Sequence, residues 1–179
     1  KKLKNAKKNG ILPKVIIPVH ISGQSCEMKE IYELSKIYGF KIIEDASHAI
    51  GGKYRNEPIG NCKYSDITVF SFHPVKIITS GEGGLCTTNS PKLANLLCRF
   101  RSHGITRHEN EMTKKSDGPW YYQQLDLGYN YRMTDIQAAL GLSQLKRLDK
   151  FILKRHHIVK KYNLAFKDKP IITPFQSSE

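Results

Sequence analysis

Three polar clusters in this sequence combine residue types that can do covalent chemistry. Asp45 and His48 follow one apolar run, Ser71, His73 and Lys76 follow another, and the glycine-rich turn "GEGG" comes shortly afterwards. A lysine amine that is desolvated in an apolar setting has a lowered pKa and can form a Schiff base. A carboxylate can hold a cationic ring nitrogen protonated, and glycines let the backbone approach a ligand closely.

Taken singly, these residues have ordinary explanations, because Asp45 is typical of an acidic helix cap and Lys76 of a surface charge. In combination, a strand-end acid followed by a strand-end Ser and Lys matches the needs of pyridoxal phosphate. That cofactor uses a lysine for its aldehyde, an acid for its pyridine nitrogen and hydroxyl or amide donors for its phosphate. The "GEGG" turn matches neither the dinucleotide fingerprint nor the P-loop.

The apolar pattern predicts a sheet that would place these clusters near each other. Apolar or β-branched runs predict four strands, at residues 14–23, 40–46, 65–73 and 84–89. We expect the first two to be buried on both faces, as in a parallel sheet. Ligands of such sheets bind beyond the carboxyl ends of the strands, so Asp45, Ser71 and Lys76 should lie close together.

Helical periodicity predicts three helices. Ser25 is the predicted cap of the first helix and Gly39 its end. Its apolar face should comprise Met28, Ile31, Leu34 and Ile37. The second begins at Pro91 and runs to about residue 101. The third begins at a capping box of Thr134 with Gln137 and runs to about residue 166. Its apolar stripe should comprise Ile136, Leu140, Leu142, Leu145, Leu148 and Ile152.

Strands that alternate with helices predict the α/β class, as a three-layer α/β/α sandwich with a mostly parallel sheet. Residues 51–61 are rich in turn formers and predict a loop or a short hairpin. Residues 103–131 are polar without a clear period, and we expect an extended surface segment whose length argues for function.

The high net positive charge raises a second functional hypothesis, nucleic-acid binding. The net charge is +13, from 29 basic and 16 acidic side chains, which is typical of nucleic-acid-binding proteins. Much of the excess lies in the lysine-rich first ten residues and in "KRHHIVKKYN", where solvated helix faces explain it equally well. A basic surface also suits an anionic small substrate. Since there is no aromatic-basic recognition motif, we expect no nucleic-acid partner.

Cysteine spacing and hydropathy indicate the compartment. The four cysteines form no C-x-x-C pair, which favours reduced thiols in the cytoplasm over zinc or disulfides. There is neither a signal-peptide pattern nor an apolar run long enough to cross a bilayer, so no membrane partner is expected. The chain starts without Met inside a helix-like stretch, which predicts a piece of a longer protein.

Three motifs carry a resemblance to a known family. The stretches "IIEDASHAIGGKY", "SFHPVKIITSGEGG" and "LGYNYRMTDIQAALGLSQLKRLD" resemble the DegT-like sugar-nucleotide aminotransferases, which are pyridoxal-phosphate enzymes of fold type I. The resemblance spans residues 14–149 and is strongest to the branch that makes pseudaminic-acid precursors. It implies amino transfer to C4 of a UDP-4-keto-6-deoxy-hexosamine, with an amine donor such as glutamate.

The resemblance also implies a role for individual positions. Lys76 matches the Schiff-base lysine that also moves protons, and Asp45 matches the acid at the pyridine nitrogen. His48 matches a residue beside the cofactor ring, and Ser71 matches a hydroxyl that binds the phosphate. Asn130 matches an asparagine that reaches the cofactor phosphate of a neighbouring subunit, which implies a homodimer with a shared active site.

Two further positions and a domain division complete the prediction. Arg132 and His73 are weaker candidates near the pocket, and His73 is equally well explained as a packed structural residue. Residues 1–150 are predicted to be part of the large cofactor-binding domain. Residues 151–179 should be the end of a long connecting helix and the start of a small domain. The alternative hypothesis is a non-catalytic remnant of this fold that binds no cofactor.

Overall fold

The computed structural model describes residues 1–177. Its helices and strands are, in chain order, α1 (Lys2–Lys8), β1 (Val15–Ile16), α2 (Met28–Tyr38), β2 (Lys41–Asp45), β3 (Lys53–Tyr54), β4 (Glu57–Pro58), β5 (Ile67–Ser71), β6 (Gly84–Thr87), α3 (Pro91–Arg101), β7 (Ile105–Thr106), β8 (Gln123–Gln124), α4 (Asp135–Leu145) and α5 (Leu148–Phe166).

A four-stranded sheet in the order β1-β2-β5-β6 forms the centre of the fold. β1, β2 and β5 run parallel, whereas β6 pairs antiparallel with β5. In the register between the two central strands, Asp45 lies beside Val69. The alternation of strands and helices with a mostly parallel sheet confirms the predicted α/β class. Strands β3 and β4 form the short hairpin that the turn formers predicted.

The β1 segment differs from its prediction. Only Val15 and Ile16 form a strand, and Val19 adds one isolated bridge to Asp45. Ile17 is 58% exposed and Val19 46% exposed, so burial on both faces was wrong. Because successive side chains along an extended chain point to opposite faces, the intervening residues are covered while Ile17 and Val19 meet solvent.

Helix α2 ends as predicted but begins differently. Gly39 adopts a φ of 76°, and its N–H donates to the Ser35 carbonyl at 2.8 Å, which ends the helix in a left-handed cap. The predicted Ser25 cap is wrong, because its hydroxyl donates instead to the neighbouring Cys26 carbonyl at 2.8 Å. The helix begins at Met28, with Glu27 at the N-cap position.

The buried face of α2 matches the predicted stripe at Met28 and Ile31 but not beyond them. Met28 is buried against Phe40 and Ile42 of the sheet, which form the main apolar cluster. Leu34 is 40% exposed and Ile37 66% exposed. Tyrosines of α2 contact the cluster in their place, because a tyrosine can bury its ring while its hydroxyl reaches water.

The predicted third helix is two helices. The capping box is confirmed, since the Gln137 N–H donates to Thr134 Oγ1 at 3.3 Å and the Thr134 N–H donates to Gln137 Oε1 at 3.0 Å. The helix breaks at Lys146 and Arg147 before α5 begins. Much of the predicted stripe is exposed, with Ile136 at 83% and Leu142 at 57%.

The segment at residues 103–131 is folded back by two glycines. A Cβ on Gly104 would lie 1.8 Å from the Asp126 carbonyl oxygen, and Gly104 has a φ of +70°. A Cβ on Gly128 would lie 2.1 Å from the Gly104 nitrogen. These backbones touch, and β7 and β8 pair antiparallel, so the segment is not wholly irregular.

The predicted domain division stays a prediction. Helix α5 continues without interruption across residue 150. Its first turns approach the sheet layer, since a Cβ on Gly51 would lie 2.4 Å from Ile152 Cδ1. Ser178 and Glu179, the last two residues of the predicted second domain, lie outside the described residues.

Candidate active site

Asp45 ends β2, and both its backbone N–H and its carbonyl are hydrogen-bonded. Its N–H donates to the Pro18 carbonyl at 2.9 Å, and its carbonyl accepts the N–H of His20 at 3.0 Å. The Ser47 N–H donates to Asp45 Oδ1 at 3.0 Å. Hydrogen bonds from Ser47 contribute most to lowering the pKa of the Asp45 carboxyl, partial burial opposes them, and His48 and Lys76 lower that pKa further. Asp45 is therefore a carboxylate at neutral pH.

Lys76 lies in the turn that follows β5. Its N–H donates to the His73 carbonyl at 3.0 Å, and the side chain is half-buried. The turn closes on itself, because the Ser80 N–H and the Thr79 hydroxyl both donate to the Phe72 carbonyl, at 3.0 Å and 2.9 Å. Lys76 lies near enough to Asp45 to act on its pKa. Asp45 and Lys76 thus lie at the ends of adjacent parallel strands and interact electrostatically.

Ser71 and His48 flank this pair on separate elements. Ser71 is the last residue of β5, half-buried, and its Oγ accepts the His73 N–H at 3.4 Å. His48 is exposed, and its Nδ1 accepts the Ser22 N–H at 3.3 Å. His48 also acts electrostatically on Asp45. The hydroxyl and the imidazole are therefore available at the same edge of the sheet.

His73 is not the packed histidine that one prediction allowed. Its side chain is 48% exposed, and its Nε2 lies 3.9 Å from Glu82 Oε1. The Nδ1 of the same ring accepts the Val75 N–H at 3.3 Å. His73 therefore stabilises the turn that carries Lys76.

The backbone conformation and close contacts within the chain require the glycines of "GEGG". Gly81 has a φ of +82°, which strains any residue with a Cβ. A Cβ on Gly83 would lie 2.4 Å from Ser80 Oγ, and a Cβ on Gly84 would lie 2.8 Å from the Phe70 carbonyl oxygen. These close contacts let the antiparallel strand β6 return directly from the turn.

Asn130 and Arg132 lie on the segment that precedes α4. Asn130 is exposed and pairs with Ser102 in an isolated bridge. Arg132 Nη2 lies 3.4 Å from His103 Nε2. Within residues 1–177, no hydrogen bond joins the side chain of Asn130 or Arg132 to Asp45 or Lys76.

Sequence reasoning missed a buried polar pair behind Asp45. His20 is fully buried and Glu44 is 5% exposed. His20 Nε2 lies 2.8 Å from Glu44 Oε2. The available signal was Glu44 itself, because a charged residue on a strand needs a partner when it is buried.

The described residues contain neither a metal-binding cluster nor a membrane-spanning helix. Residues 1–177 hold no group of three or more His, Cys, Asp or Glu side chains arranged to bind a metal ion. In the same range, no helix is both long and apolar enough to cross a bilayer. The four cysteines are free thiols.

Comparisons with known proteins agree with the predicted fold. The UDP-4-amino-4,6-dideoxy-N-acetyl-beta-L-altrosamine transaminase of Campylobacter jejuni is 41% identical over 152 residues, which are 85% of this chain and 38% of that protein. Helicobacter pylori PseC, an aminotransferase involved in the biosynthesis of pseudoaminic acid, superposes with a TM-score of 0.79 at 37% identity, covering 90% of this chain and 40% of that one.

A third similar structure is described as the PLP form of its protein. The PLP-form structure of Spr1654 from Streptococcus pneumoniae superposes with a TM-score of 0.77 at 29% identity, covering 93% of this chain and 44% of that one. The chain spans about two-fifths of the length of the curated relatives it matches. These likenesses confirm the predicted α/β fold, which is that of fold type I aminotransferases. Because a family model also matches residues 5–179, the chain belongs to the DegT/DnrJ/EryC1/StrS aminotransferase family.

Proposed function

We propose that this chain is the cofactor-binding core of a pyridoxal-phosphate-dependent sugar-nucleotide aminotransferase. The observation that carries the proposal is the placement of Asp45 and Lys76. They follow adjacent parallel strands, they lie close enough for Lys76 to lower the pKa of Asp45, and they stand at the sheet edge where ligands of α/β folds bind.

The residues at this edge fit the cofactor. When bound, pyridoxal phosphate supplies an aldehyde that condenses with an amine and a ring that withdraws electrons from the reacting carbon. Asp45 is ionised and oriented by Ser47, so it can accept a hydrogen bond from a protonated pyridine nitrogen. Lys76 offers a half-buried amine, and Ser71 offers a hydroxyl for the phosphate.

Each side chain then has a distinct task. Lys76 would hold the aldehyde and would move the proton at the substrate carbon. Asp45 would keep the ring nitrogen protonated, and His48 would stand beside the ring. Asn130 would reach the cofactor phosphate held by the second copy of a homodimer, which accords with its exposure.

The proposed reaction transfers an amino group to C4 of a UDP-4-keto-6-deoxy-hexosamine in the biosynthesis of pseudaminic-acid-type surface sugars. The amine donor is glutamate, and the reaction takes place in the cytoplasm. The names of the Campylobacter jejuni and Helicobacter pylori relatives support this substrate class. The net charge of +13 suits an anionic sugar nucleotide.

The second candidate is a remnant of the fold that binds no cofactor. The openness of the site favours it, since His48 and His73 are exposed and Lys76 is only half-buried. The two candidates differ in a single property, which is stoichiometric binding of pyridoxal phosphate.

Titration of the chain with pyridoxal phosphate, followed by borohydride reduction and peptide mass spectrometry, tests the proposal. We expect an absorption band near the visible edge and, after reduction, one cofactor attached at Lys76. Lys76→Ala should lose both signals, and Lys92→Ala, which removes an exposed lysine of α3, should keep them. Attachment scattered over many lysines, or none, would reject the proposal and favour the remnant. Turnover with UDP-linked and GDP-linked keto sugars then tests the substrate.

A further inference from the structure

A buried hydrogen-bond network lies directly behind the proposed site. His20 has no exposed surface and Glu44 is 5% exposed. The Cys26 N–H points at His20 Nδ1 from 3.1 Å, and a backbone N–H can only donate. His20 Nδ1 is therefore the acceptor, and the ring hydrogen is on Nε2, which donates to Glu44 Oε2 at 2.8 Å. Both nitrogens of the ring are satisfied in this tautomer.

Glu44 accepts its remaining hydrogen bonds from residues in and just before β5. Its Oε1 accepts the hydroxyl of Ser65 and, at 3.2 Å, the hydroxyl of Thr68. Burial raises the pKa of the Glu44 carboxyl, but the hydrogen bonds from His20, Ser65 and Thr68 outweigh burial and lower it overall. One carboxylate therefore ties the segment before α2 to both central strands of the sheet.

This network acts on Asp45 from two sides. Glu44 precedes Asp45 in β2, and consecutive strand residues point to opposite faces, so fixing Glu44 inside the protein fixes the direction of Asp45 outside it. The N–H of His20 also donates to the Asp45 carbonyl at 3.0 Å, and the Asp45 N–H donates to Pro18 at 2.9 Å. His20 thus holds the backbone of Asp45 while its ring holds Glu44.

We infer that Glu44 and His20 are positioning residues that set the orientation of the Asp45 carboxylate toward the cofactor ring nitrogen. This inference rests on the proposed function. Neither residue touches the cofactor, and both act through the strand end. Side chains that orient metal ligands in the same indirect way typically contribute about 10- to 100-fold in affinity or activity, and a similar effect is expected here.

The chain offers a matched control at the other end of the same strands. Asp66 accepts the Ile42 N–H at 2.9 Å and Lys41 Nζ at 3.0 Å, so it also joins β5 to β2 through one carboxylate. That contact lies at the amino ends of the strands, away from Asp45. Asp66→Asn should therefore loosen the sheet without changing the orientation of Asp45.

Amide hydrogen exchange in the ligand-free chain is the first test. In His20→Gln and Glu44→Gln, exchange at the Asp45 amide should accelerate about tenfold or more, while the Ile42 amide is unaffected. Asp66→Asn should show the reverse pattern. If these variants do not fold, Ser65→Ala removes only one donor from Glu44 and should produce a smaller acceleration at Asp45. Equal acceleration at both amides in every variant, or none at Asp45, would overturn the inference.

The second test uses pyridoxal phosphate labelled with ¹⁵N in its ring. The ring nitrogen signal should report a protonated nitrogen in the wild-type chain and in Asp66→Asn. In His20→Gln and Glu44→Gln the signal should move toward that of the unprotonated ring, with affinity lower by about tenfold. An unchanged signal in both variants would reject the positioning role. If the wild-type chain binds no cofactor, the proposed function fails, and the exchange pattern alone decides whether the network positions Asp45.

Discussion

The sheet edge that carries Asp45 and the helices α4 and α5 are held in contrasting ways. The sheet region contains almost all of the buried side chains, both apolar ones such as Ile42 and polar ones such as Glu44 and Thr68. Helices α4 and α5 contain no buried residue at all. Their order depends on the capping box at Thr134 and on a few contacts such as that of Ile152 with Gly51.

This difference shows which candidate site residues the chain holds in place by itself. Asp45 and Ser71 stand at the ends of strands whose interior faces are packed and hydrogen-bonded, so their positions are determined within the chain. Asn130 stands on an exposed segment next to weakly packed helices, so its position depends on whatever covers that surface. The proposed homodimer would supply such a cover.

The largest effect should come from truncating the core beneath the sheet. Ile42 is 1% exposed, and Ile42→Ala should lower the free energy of unfolding by about 2–5 kcal/mol through lost burial and a cavity. Leu142 of α4 is 57% exposed, and Leu142→Ala should change it by about 0.5 kcal/mol or less. Urea denaturation of both variants measures the contrast. Similar losses would show that α4 is packed as tightly as the sheet.

The second-largest effect should be a pH-dependent loss of stability when the buried Glu44 carboxylate is replaced. Glu44→Gln removes the charge that three donors satisfy and should cost about 1–3 kcal/mol at neutral pH. Because the folded-state pKa of Glu44 is lowered, its contribution to stability is fully present above the unfolded pKa of about 4.3 and is lost as the pH falls through the folded pKa. The difference between wild type and Glu44→Gln should therefore shrink below about pH 4.3. Urea denaturation over a pH series measures it, and a constant difference would contradict the assignment.

The smallest effect should be found at the start of α4. Thr134→Ala removes the side chain that accepts the Gln137 N–H, and an N-cap of this kind contributes about 1 kcal/mol. Ser143→Ala, at an exposed position inside the same helix, should change stability by less than about 0.5 kcal/mol. Amide exchange at Gln137 and Ala138 measures the local effect. Unchanged exchange in Thr134→Ala would mean that packing, and not the cap, holds this helix.

Local signals in the sequence were sufficient for several elements. Pro91 at the start of α3, Gly39 at the end of α2 and the Thr134 capping box were all predicted from neighbouring residues, and the structure confirms each. Failures occurred where two local options compete. Ser25 hydrogen-bonds a neighbouring carbonyl instead of capping a helix. Neither Gly nor Pro stands at the break between α4 and α5, which falls at Lys146 and Arg147.

By itself, the sequence determined the four strands of the central sheet, the existence of helices α2 and α3, and the presence of an acid, a hydroxyl and an amine after two apolar runs, because these depend on short-range periodicity and residue type. Only the tertiary structure decided that Glu44 is paired with His20, 24 residues away. Such pairs depend on strand order and register, and register is set by the packing of the whole sheet.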